Sequence, residues 1–352
     1  MNLQRQVWFW LGVLAAVITF IWLLHEILLP FVAGAALAYL LNPLANRIER
    51  LGVNRFMATF LMMAVFALAV VFFAIRIVPV LAVQIASLLE NVPSYATRLQ
   101  ELAADPNWPW LNKVIGTSLA DIQVSAYAKD AASAFLVFVT SVWSGGRAIV
   151  SLFSLLVITP VVAFYLLFDW QRIVATVDSW LPRKDADTIR MLAREMDTAI
   201  AGFIRGQTLI CIILGTLYVI GFSVIGLNYG FLIGFATGLG SFVPYVGSFA
   251  GLLVALTVAV VQFWPSWLPV LAVLGVCLAL QVVESYVLSP YLVGPSVGLH
   301  PVWLMFALFA FGYLFGLVGL IVAIPVSAAV GVLVRYAMRR YRESTLYTGC
   351  AR

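Results

Sequence analysis

The sequence predicts an all-α integral membrane protein that crosses the bilayer about eight times. Hydrophobic residues make up 64% of its 352 residues, while charged residues make up only 10%. A soluble domain carries roughly 25% charged residues, because even a large globule needs a polar surface. Several apolar runs are also longer than the ~18 residues that mark a transmembrane helix. These observations together exclude a soluble globular fold.

The apolar runs give the transmembrane helices in order. The first two are separated only by His25 and Glu26, and this short gap predicts a tight helical hairpin. The runs lie at about 7–24, 27–45, 56–75, 148–168, 208–227, 229–262, 268–289 and 301–334. They predict three transmembrane helices in 1–79, a fourth in 147–169, a C-terminal transmembrane core in 207–337 and a cytoplasmic tail in 338–352.

Basic residues between the runs predict the orientation. With eight crossings, every basic cluster falls on one side, and short loops rich in arginine and lysine stay in the cytoplasm. We therefore expect a bacterial inner-membrane protein with both termini in the cytoplasm. The net charge of +5 is interpreted as this signal rather than as a nucleic-acid surface. The clusters are Arg5; Arg47, Arg50 and Arg55; Arg172 to Arg205; and Arg335 to Arg342.

Two long segments are predicted to lie outside the bilayer. Residues 80–146 are expected on the extracytoplasmic side as an insertion of amphipathic helices, because leucines recur there at helical spacing from Leu81 to Leu102. Residues 170–206 are expected in the cytoplasm as a helical segment, whose apolar stripe includes Ile189 and Met196.

Two apolar runs are too long for one straight crossing. Runs 229–262 and 301–334 each hold about 34 residues, or ~51 Å of helix, against a hydrocarbon core of ~30 Å. Each contains helix breakers, "SFVPYVGS" at 241–248 in one and "FGYLFGLVG" followed by "AIPVS" in the other. We expect broken or re-entrant helices, and either broken single spans or hairpins would fit.

Glu284 is the leading candidate for a functional residue. It is the one charged side chain between Arg205 and Arg335. A central intramembrane carboxylate costs about 2.5–3.5 kcal/mol to insert, so it usually faces a cavity or a partner. Gln281 and Ser285 extend the polar patch. The alternative is that Glu284 reaches the lipid headgroups, and any counter-charge is a distant residue, a cation or a proton.

Other polar and small residues leave two interpretations open. His300 precedes a proline and acts either as a helix cap or interface residue or as a proton relay. Arg205 either anchors the fifth span or pairs with Asp169. The glycines at Gly226, Gly230, Gly234 and Gly238 indicate either close helix packing or a smooth wall for a solute.

Nothing in the sequence points to an enzyme, a metal site or a cofactor. The chain has no HExxH motif, no P-loop and no cluster of metal-ligand residues. Its three cysteines have no metal-binding or CxxC spacing, and Cys211 and Cys277 lie in apolar runs, where packing is their expected role.

Five stretches of the chain resemble the AI-2E family of bacterial membrane permeases. They are "ITPVVAFYLLFDWQRI" (158–173), "FIRGQ" (203–207), "SFVPYVGSF" (241–249), "ESYVLSPYLVGPSVGLHP" (284–301) and "FGYLFGLVGLIVAIP" (311–325). The resemblance implies an eight-span inner-membrane transporter that forms a homo-oligomer. The family is named for export of autoinducer-2, and other members are associated with sodium/proton exchange.

The resemblance carries a set of motif positions onto this chain. Tyr291, Pro295 and Tyr313 depart from the family pattern, which argues against an anion-binding loop here. The candidate pathway residues, some of them motif positions, are Glu284, Gln281, Ser285, Pro244, Gly247 and His300. The remaining motif positions are Asp169, Arg205, Gly206, Gln207, Pro290, Gly298, Pro301, Gly316, Gly319 and Pro325.

Three functions remain open at this point. The first is a secondary transporter that exports a small polar solute, autoinducer-2 by resemblance. The second is a sodium/proton antiporter in which Glu284 carries the ion. The third is a membrane scaffold that transports nothing and binds a partner through residues 80–146. The expected partners are therefore the lipid bilayer and a small polar solute or monovalent cation.

Overall fold

The described chain is helical, as the sequence predicts. The computed structural model describes residues 12, 23–103, 154–183, 185–293, 300–344 and 347. Within these residues there is no β-strand, and seven helices are long and apolar enough to cross a membrane. They match the predicted runs from 27–45 to 301–334 one by one, which confirms the all-α polytopic fold. Nearly all of the predicted first span, 7–24, lies outside the described residues.

The chain divides into two compact units. The first comprises Met1–Val65, Phe153–Thr208 and Ser289–Arg352, and the second comprises Phe66–Leu152 and Leu209–Leu288. A π-helical turn precedes α3 at Ser154–Ile158, and another joins α7 to α8 at Glu284–Leu288. The described α-helices are α1 (His25–Arg50), α2 (Arg55–Ala103), α3 (Thr159–Ser179), α4 (Ala186–Ile225), α5 (Gly230–Gly240), α6 (Val246–Phe263), α7 (Trp267–Val283), α8 (Ser289–Leu292) and α9 (Pro301–Glu343).

Two helices continue past the predicted ends of their spans. Helix α2 has 49 residues and α4 has 40, so each joins a predicted span to a predicted extramembrane helix without a break. The helical expectation is thereby confirmed for 81–103 and for 186–205. The rest of 80–146 lies outside the described residues, and the side of the membrane on which each segment lies stays a prediction.

A polar network around Arg55 anchors the first unit, in which α1 packs against α3 and α9. The Arg55 guanidinium donates to the Leu167 carbonyl at 2.8 Å, to Asn46 Oδ1 at 2.6 Å and to Glu49 Oε2 at 2.9 Å. It also donates to Asn42 Oδ1 at 3.2 Å, and its side chain is only 13% exposed. Arg55 therefore fastens the start of α2 to α1 and α3, in addition to its predicted role in orientation.

The phased glycines pack helices together in the second unit. A methyl group added at Gly234 would lie 2.6 Å from the Val219 nitrogen, and one at Gly238 would overlap the Gly215 Cα. The backbones of α4 and α5 thus approach as closely as small residues allow. The packing interpretation of this stripe is confirmed at these positions.

Helices α5 and α6 form a helical hairpin with arms of unequal length. The turn at 241–245 brings Gly240 against Gly247 and Thr237 against Gly251, a pairing that requires the two helices to run antiparallel. Helix α5 has 11 residues, or ~16 Å, which is too short for a hydrocarbon core of ~30 Å. Of the two interpretations left open for 229–262, the structure shows the hairpin.

Helix α9 is sharply bent at Gly316. This residue has φ 58° and ψ −136°, a conformation that only glycine adopts without strain. Gly319 touches the Phe311 carbonyl, and a methyl at Gly312 would lie 2.9 Å from Leu320 Cδ2. Residues eight apart lie ~12 Å apart along a straight helix, so the prediction of a broken segment is confirmed.

Candidate functional site

Glu284 is buried in the second unit, and its carboxylate accepts one hydrogen bond from the described residues. The Ser248 hydroxyl donates to Glu284 Oε2 at 2.8 Å. The two residues are 6% and 4% exposed, respectively. Glu284 also begins the π-helical turn that follows α7, and such turns are frequent at functional sites. The alternative that Glu284 reaches the lipid headgroups is therefore wrong for this structure.

Among the described residues, the surroundings of the carboxylate are weakly polar and include no paired basic side chain. Tyr218, 2% exposed, interacts with both Ser248 and Glu284, and Cys211 lies within electrostatic range of Glu284. No lysine, arginine or histidine of the described chain pairs with Glu284. No donor among the same residues hydrogen-bonds to its second oxygen, Oε1. Oε2 thus accepts a hydrogen bond from Ser248, and Oε1 is available to accept one from a ligand.

The energetics favour a ligand at this carboxylate. Inserting a central acidic residue costs about 2.5–3.5 kcal/mol, whereas one hydrogen bond to a charged group returns about 1.5–3 kcal/mol. Ser248 thus offsets a large part of the cost but leaves Oε1 without a donor. A proton, a monovalent cation or a hydroxyl group of a solute would each supply the partner that Oε1 lacks.

The turn between α5 and α6 positions Ser248. Pro244 lies in this turn, and Tyr245 follows it with φ 68°, an uncommon conformation for a bulky side chain. Gly247 is buried, and a side chain there would overlap the backbone of Gly240 and Ser241. This close approach fixes the first turn of α6, from which Ser248 reaches the carboxylate. Pro244 and Gly247 therefore support the site through the backbone.

Gln281 and Ser285 form a separate pair beside Glu284. Gln281 Nε2 donates to Ser285 Oγ at 3.4 Å, and the Ser285 side chain is exposed. Neither side chain hydrogen-bonds to the Glu284 carboxylate, although the Glu284 backbone N–H donates to the Gln281 carbonyl. The polar patch predicted around Glu284 thus consists of two distinct sets of contacts.

His300 belongs to the first unit and caps a helix. The Val302 backbone nitrogen donates to His300 Nδ1 at 3.3 Å at the start of α9. The cap, one of the two roles left open for His300, is thereby confirmed. Its ring is exposed, and Pro301 supplies the first residue of the helix, where no backbone N–H is required.

Arg205 does not pair with Asp169, and that expectation is wrong. Its Nε donates to the Tyr39 carbonyl at 3.1 Å, while the Tyr39 hydroxyl donates to Asp197 Oδ1 at 2.9 Å. Among the described residues Arg205 and Asp169 form no ion pair. Arg205 instead binds the backbone of α1, which places it in the network that holds α1 to α4.

The remaining motif positions are mostly structural. Gly206 approaches α8 so closely that a side chain would overlap the Leu292 carbonyl. Gln207 is buried, and Pro290 is exposed in α8. Gly316 and Gly319 form the bend of α9, Pro325 lies inside that helix, and Gly298 lies outside the described residues.

Sequence reasoning did not find Ser248, the Tyr39–Asp197 contact or the Arg55 network. A hydroxyl directly after the "PYVG" breaker was the available signal for Ser248. Residues 294–298 also have the GxSxG spacing of a nucleophile elbow, but that motif requires a preceding strand, and the chain before it is helical to Leu292. No group of three or more metal-ligand side chains occurs within the described chain.

A multi-pass helical fold with a buried carboxylate beside an interrupted helical segment is typical of secondary membrane transporters. The sequence profile described as "AI-2E family transporter" matches residues 11–339. The chain belongs to the AI-2E family.

Relatives of this chain are named as transport proteins or permeases. Transport protein YrrI of Bacillus subtilis (strain 168) is 29% identical, over 92% of this chain and 90% of YrrI. Transport protein YueF of the same strain is 25% identical, over 88% of this chain and 84% of YueF. Permease PerM of Escherichia coli (strain K12) is 27% identical, over 92% of this chain and 91% of PerM. Each name assigns its role provisionally and states no substrate.

Proposed function

We propose that this transporter exports a small polar solute across the inner membrane, with Glu284 and Ser248 in the solute path. The observation that carries the proposal is the buried carboxylate with one satisfied and one free oxygen. A solute hydroxyl or amide could donate to Oε1 while Ser248 holds Oε2. The outward direction and autoinducer-2 as the candidate solute come from the name of the family.

The hairpin of α5 and α6 supports a transport role for this site. Its turn interrupts the helical backbone between Gly240 and Val246, and irregular backbone at membrane depth is tolerated only inside protein or beside a wet cavity. Secondary transporters commonly place substrate sites at interrupted helices. Glu284 is only 6% exposed in this conformation, so the proposal includes a second conformation that opens the site further.

Cation/proton exchange through Glu284 is the second candidate. It is favoured by the lack of any basic residue paired with Glu284 in the described chain. A monovalent cation or a proton would then supply the missing positive charge, and the two ions would compete for one carboxylate. Under this candidate the protein moves sodium and protons in opposite directions without a further solute.

Flux through purified protein in liposomes tests both candidates. We expect wild-type vesicles to transport autoinducer-2, and Glu284→Gln vesicles to lose that flux, because the amide cannot carry the charge. Glu343→Gln, at the exposed end of α9, is the matched control and should transport normally. Sodium-driven pH changes without solute flux would favour exchange instead. Normal activity of Glu284→Gln in both assays would contradict both candidates.

Orientation and assembly are part of the proposal. We propose that both termini face the cytoplasm and that the protein is a homo-oligomer. A single cysteine at Asp187, fully exposed, should react with an impermeant reagent only after the membrane is opened, whereas one at Ser94 should react in intact cells. The reverse labelling pattern would contradict the orientation.

Light scattering of the purified protein should give a mass of several chains, and a monomer mass would contradict assembly.

A further inference from the structure

A charged cleft in the first unit has no role in the proposed transport path. Its volume is about 760 Å³, and it lies between the start of α4 and the end of α9. The buried side chains of Ala199 and Val332 contribute to its lining. The ionisable residues that line it are Arg190, Arg194, Arg335, Asp187 and Glu195.

The cleft lies where the apolar part of α9 ends. Arg335 is the first charge after the uncharged stretch that begins at residue 285, and Val332 lies one turn before it. Arginine at the end of an apolar run is expected at the level of the lipid headgroups. The cleft therefore combines an apolar lining with a charged rim at the boundary between hydrocarbon and water.

Only part of the charge in the cleft is neutralised internally. Arg190 donates to Asp178 Oδ1 at 2.6 Å and to Asp187 Oδ1 at 3.2 Å, so its guanidinium is occupied. Arg194, Arg335 and Glu195 form no ion pair with a residue that the structure describes. Two guanidinium groups and one carboxylate are thus available to a ligand.

We propose that this cleft binds the headgroup of a zwitterionic aminophospholipid such as phosphatidylethanolamine. The lipid phosphate binds Arg194 and Arg335, since guanidinium groups match phosphate oxygens in geometry and charge. The primary ammonium donates to Glu195, and the acyl chains continue along the apolar surface. The volume falls within the ~300–1,000 Å³ of typical ligand pockets, and basic pockets between transmembrane helices recur as lipid headgroup sites.

The mixed charge selects this lipid over others. Phosphatidylglycerol brings a phosphate but no cation, so its hydroxyl groups could donate to Glu195 but would leave it without a counter-charge. Phosphatidylcholine brings a quaternary ammonium, which cannot donate a hydrogen bond to a carboxylate. Phosphatidylethanolamine satisfies both the arginines and Glu195.

Native mass spectrometry of the purified protein tests the proposal. The protein is titrated with phosphatidylethanolamine, phosphatidylglycerol and phosphatidylcholine of equal acyl chains, and with soluble phosphoethanolamine. We expect the wild type to prefer phosphatidylethanolamine. Replacing Arg194 and Arg335 together by glutamine should weaken its binding about 30-fold. Glu195→Gln should remove the preference over phosphatidylcholine. Arg340→Gln with Arg342→Gln, on the exposed end of α9, should change nothing.

Three outcomes would overturn the proposal. The first is equal binding of the three lipids to the wild type. The second is unchanged phosphatidylethanolamine binding in the double arginine variant, whose folding is checked by its thermal unfolding midpoint. The third is binding of soluble phosphoethanolamine as tight as that of the lipid, which would make this a site for a soluble phosphate compound. None of these results depends on solute flux, so they leave the proposed transport function to its own test.

Discussion

Arg55 and Glu284 are both charged residues at largely enclosed positions, but the two units treat them differently. Arg55 donates to the Leu167 carbonyl, to Asn42 and Asn46, and to the carboxylate of Glu49. Glu284 accepts one hydrogen bond, from Ser248, and has no described counter-charge. The Arg55 side chain is 13% exposed, and Glu284 is 6% exposed.

This difference in hydrogen bonding indicates that the charge of Arg55 is structural and that the charge of Glu284 is functional. A charge whose donors or acceptors are all satisfied stabilises one arrangement of the helices, and removing it leaves its partners unsatisfied. A charge that lacks a partner is costly to fold and gains one only when a ligand arrives. We therefore expect substitution at Arg55 to affect stability, and substitution at Glu284 to affect transport.

The largest stability effect is expected at Arg55. Arg55→Gln leaves Glu49 and the Leu167 carbonyl without their donor. Because the Glu49 side chain is 36% exposed, the pair is part-buried, and the loss should fall below the about 3–5 kcal/mol of a fully buried pair. Chemical unfolding of the protein in detergent measures the loss. Arg339→Gln, exposed on α9, is the control and should unfold like the wild type. Equal stability of Arg55→Gln and the control would mean that the network does not hold α1, α2 and α3 together.

A smaller effect is expected at Ser248. Ser248→Ala removes the one hydrogen bond to Glu284, which is worth about 1.5–3 kcal/mol for a charged acceptor. Thr257→Ala is the control on the same helix, since the Thr257 hydroxyl is exposed and bonds only within α6, to the Leu253 carbonyl. The loss should shrink when Glu284 is already glutamine, because the two residues are coupled. Additive losses in the double variant would show that Ser248 acts independently of Glu284.

The smallest effect is expected at Tyr39. Tyr39→Phe removes an exposed hydrogen bond to Asp197, of a type worth about 0.5–1.5 kcal/mol, and leaves the backbone contact of Arg205 in place. The unfolding midpoint should therefore fall slightly. Tyr313→Phe is the control, because Tyr313 is 91% exposed. A loss as large as that of Arg55→Gln would show that the Tyr39 network and the Arg55 network contribute similarly to the free energy of unfolding.

The sequence predicted the helices better than their contacts. Run lengths and breakers were enough to place the spans and to predict the break at 241–248, because hydrocarbon thickness limits helix length. Whether the chain turns back at that break or continues across the membrane was not predictable, because a hairpin and a broken span are compatible with the same distribution of charged residues. The bend of α9 lies within a predicted helix breaker, but only the backbone angles of the structure identify Gly316 as the residue at which the helix bends.

The partners of the charged residues were not predictable from one chain. Glu284 stood out because nothing near it in sequence is charged, yet Ser248 lies 36 positions away, and the packing of α6 against α7 brings the two together. Arg55 was interpreted as an orientation signal, although Asn42 and Asn46, one turn apart, were a sign of a polar contact. The Arg205–Asp169 pair failed because Tyr39 of α1, distant in sequence, provides the acceptor.

The most direct test of this contrast measures the unfolding midpoint and the solute flux of Glu284→Gln and Arg55→Gln in matched preparations. Glutamine at position 284 keeps an acceptor for Ser248 and removes the charge, so this variant should unfold at or above the wild-type midpoint and transport nothing. Arg55→Gln should unfold at a much lower midpoint, and whatever fraction folds should still transport. A Glu284→Gln protein that is as destabilised as Arg55→Gln, or one with wild-type flux, would contradict the account.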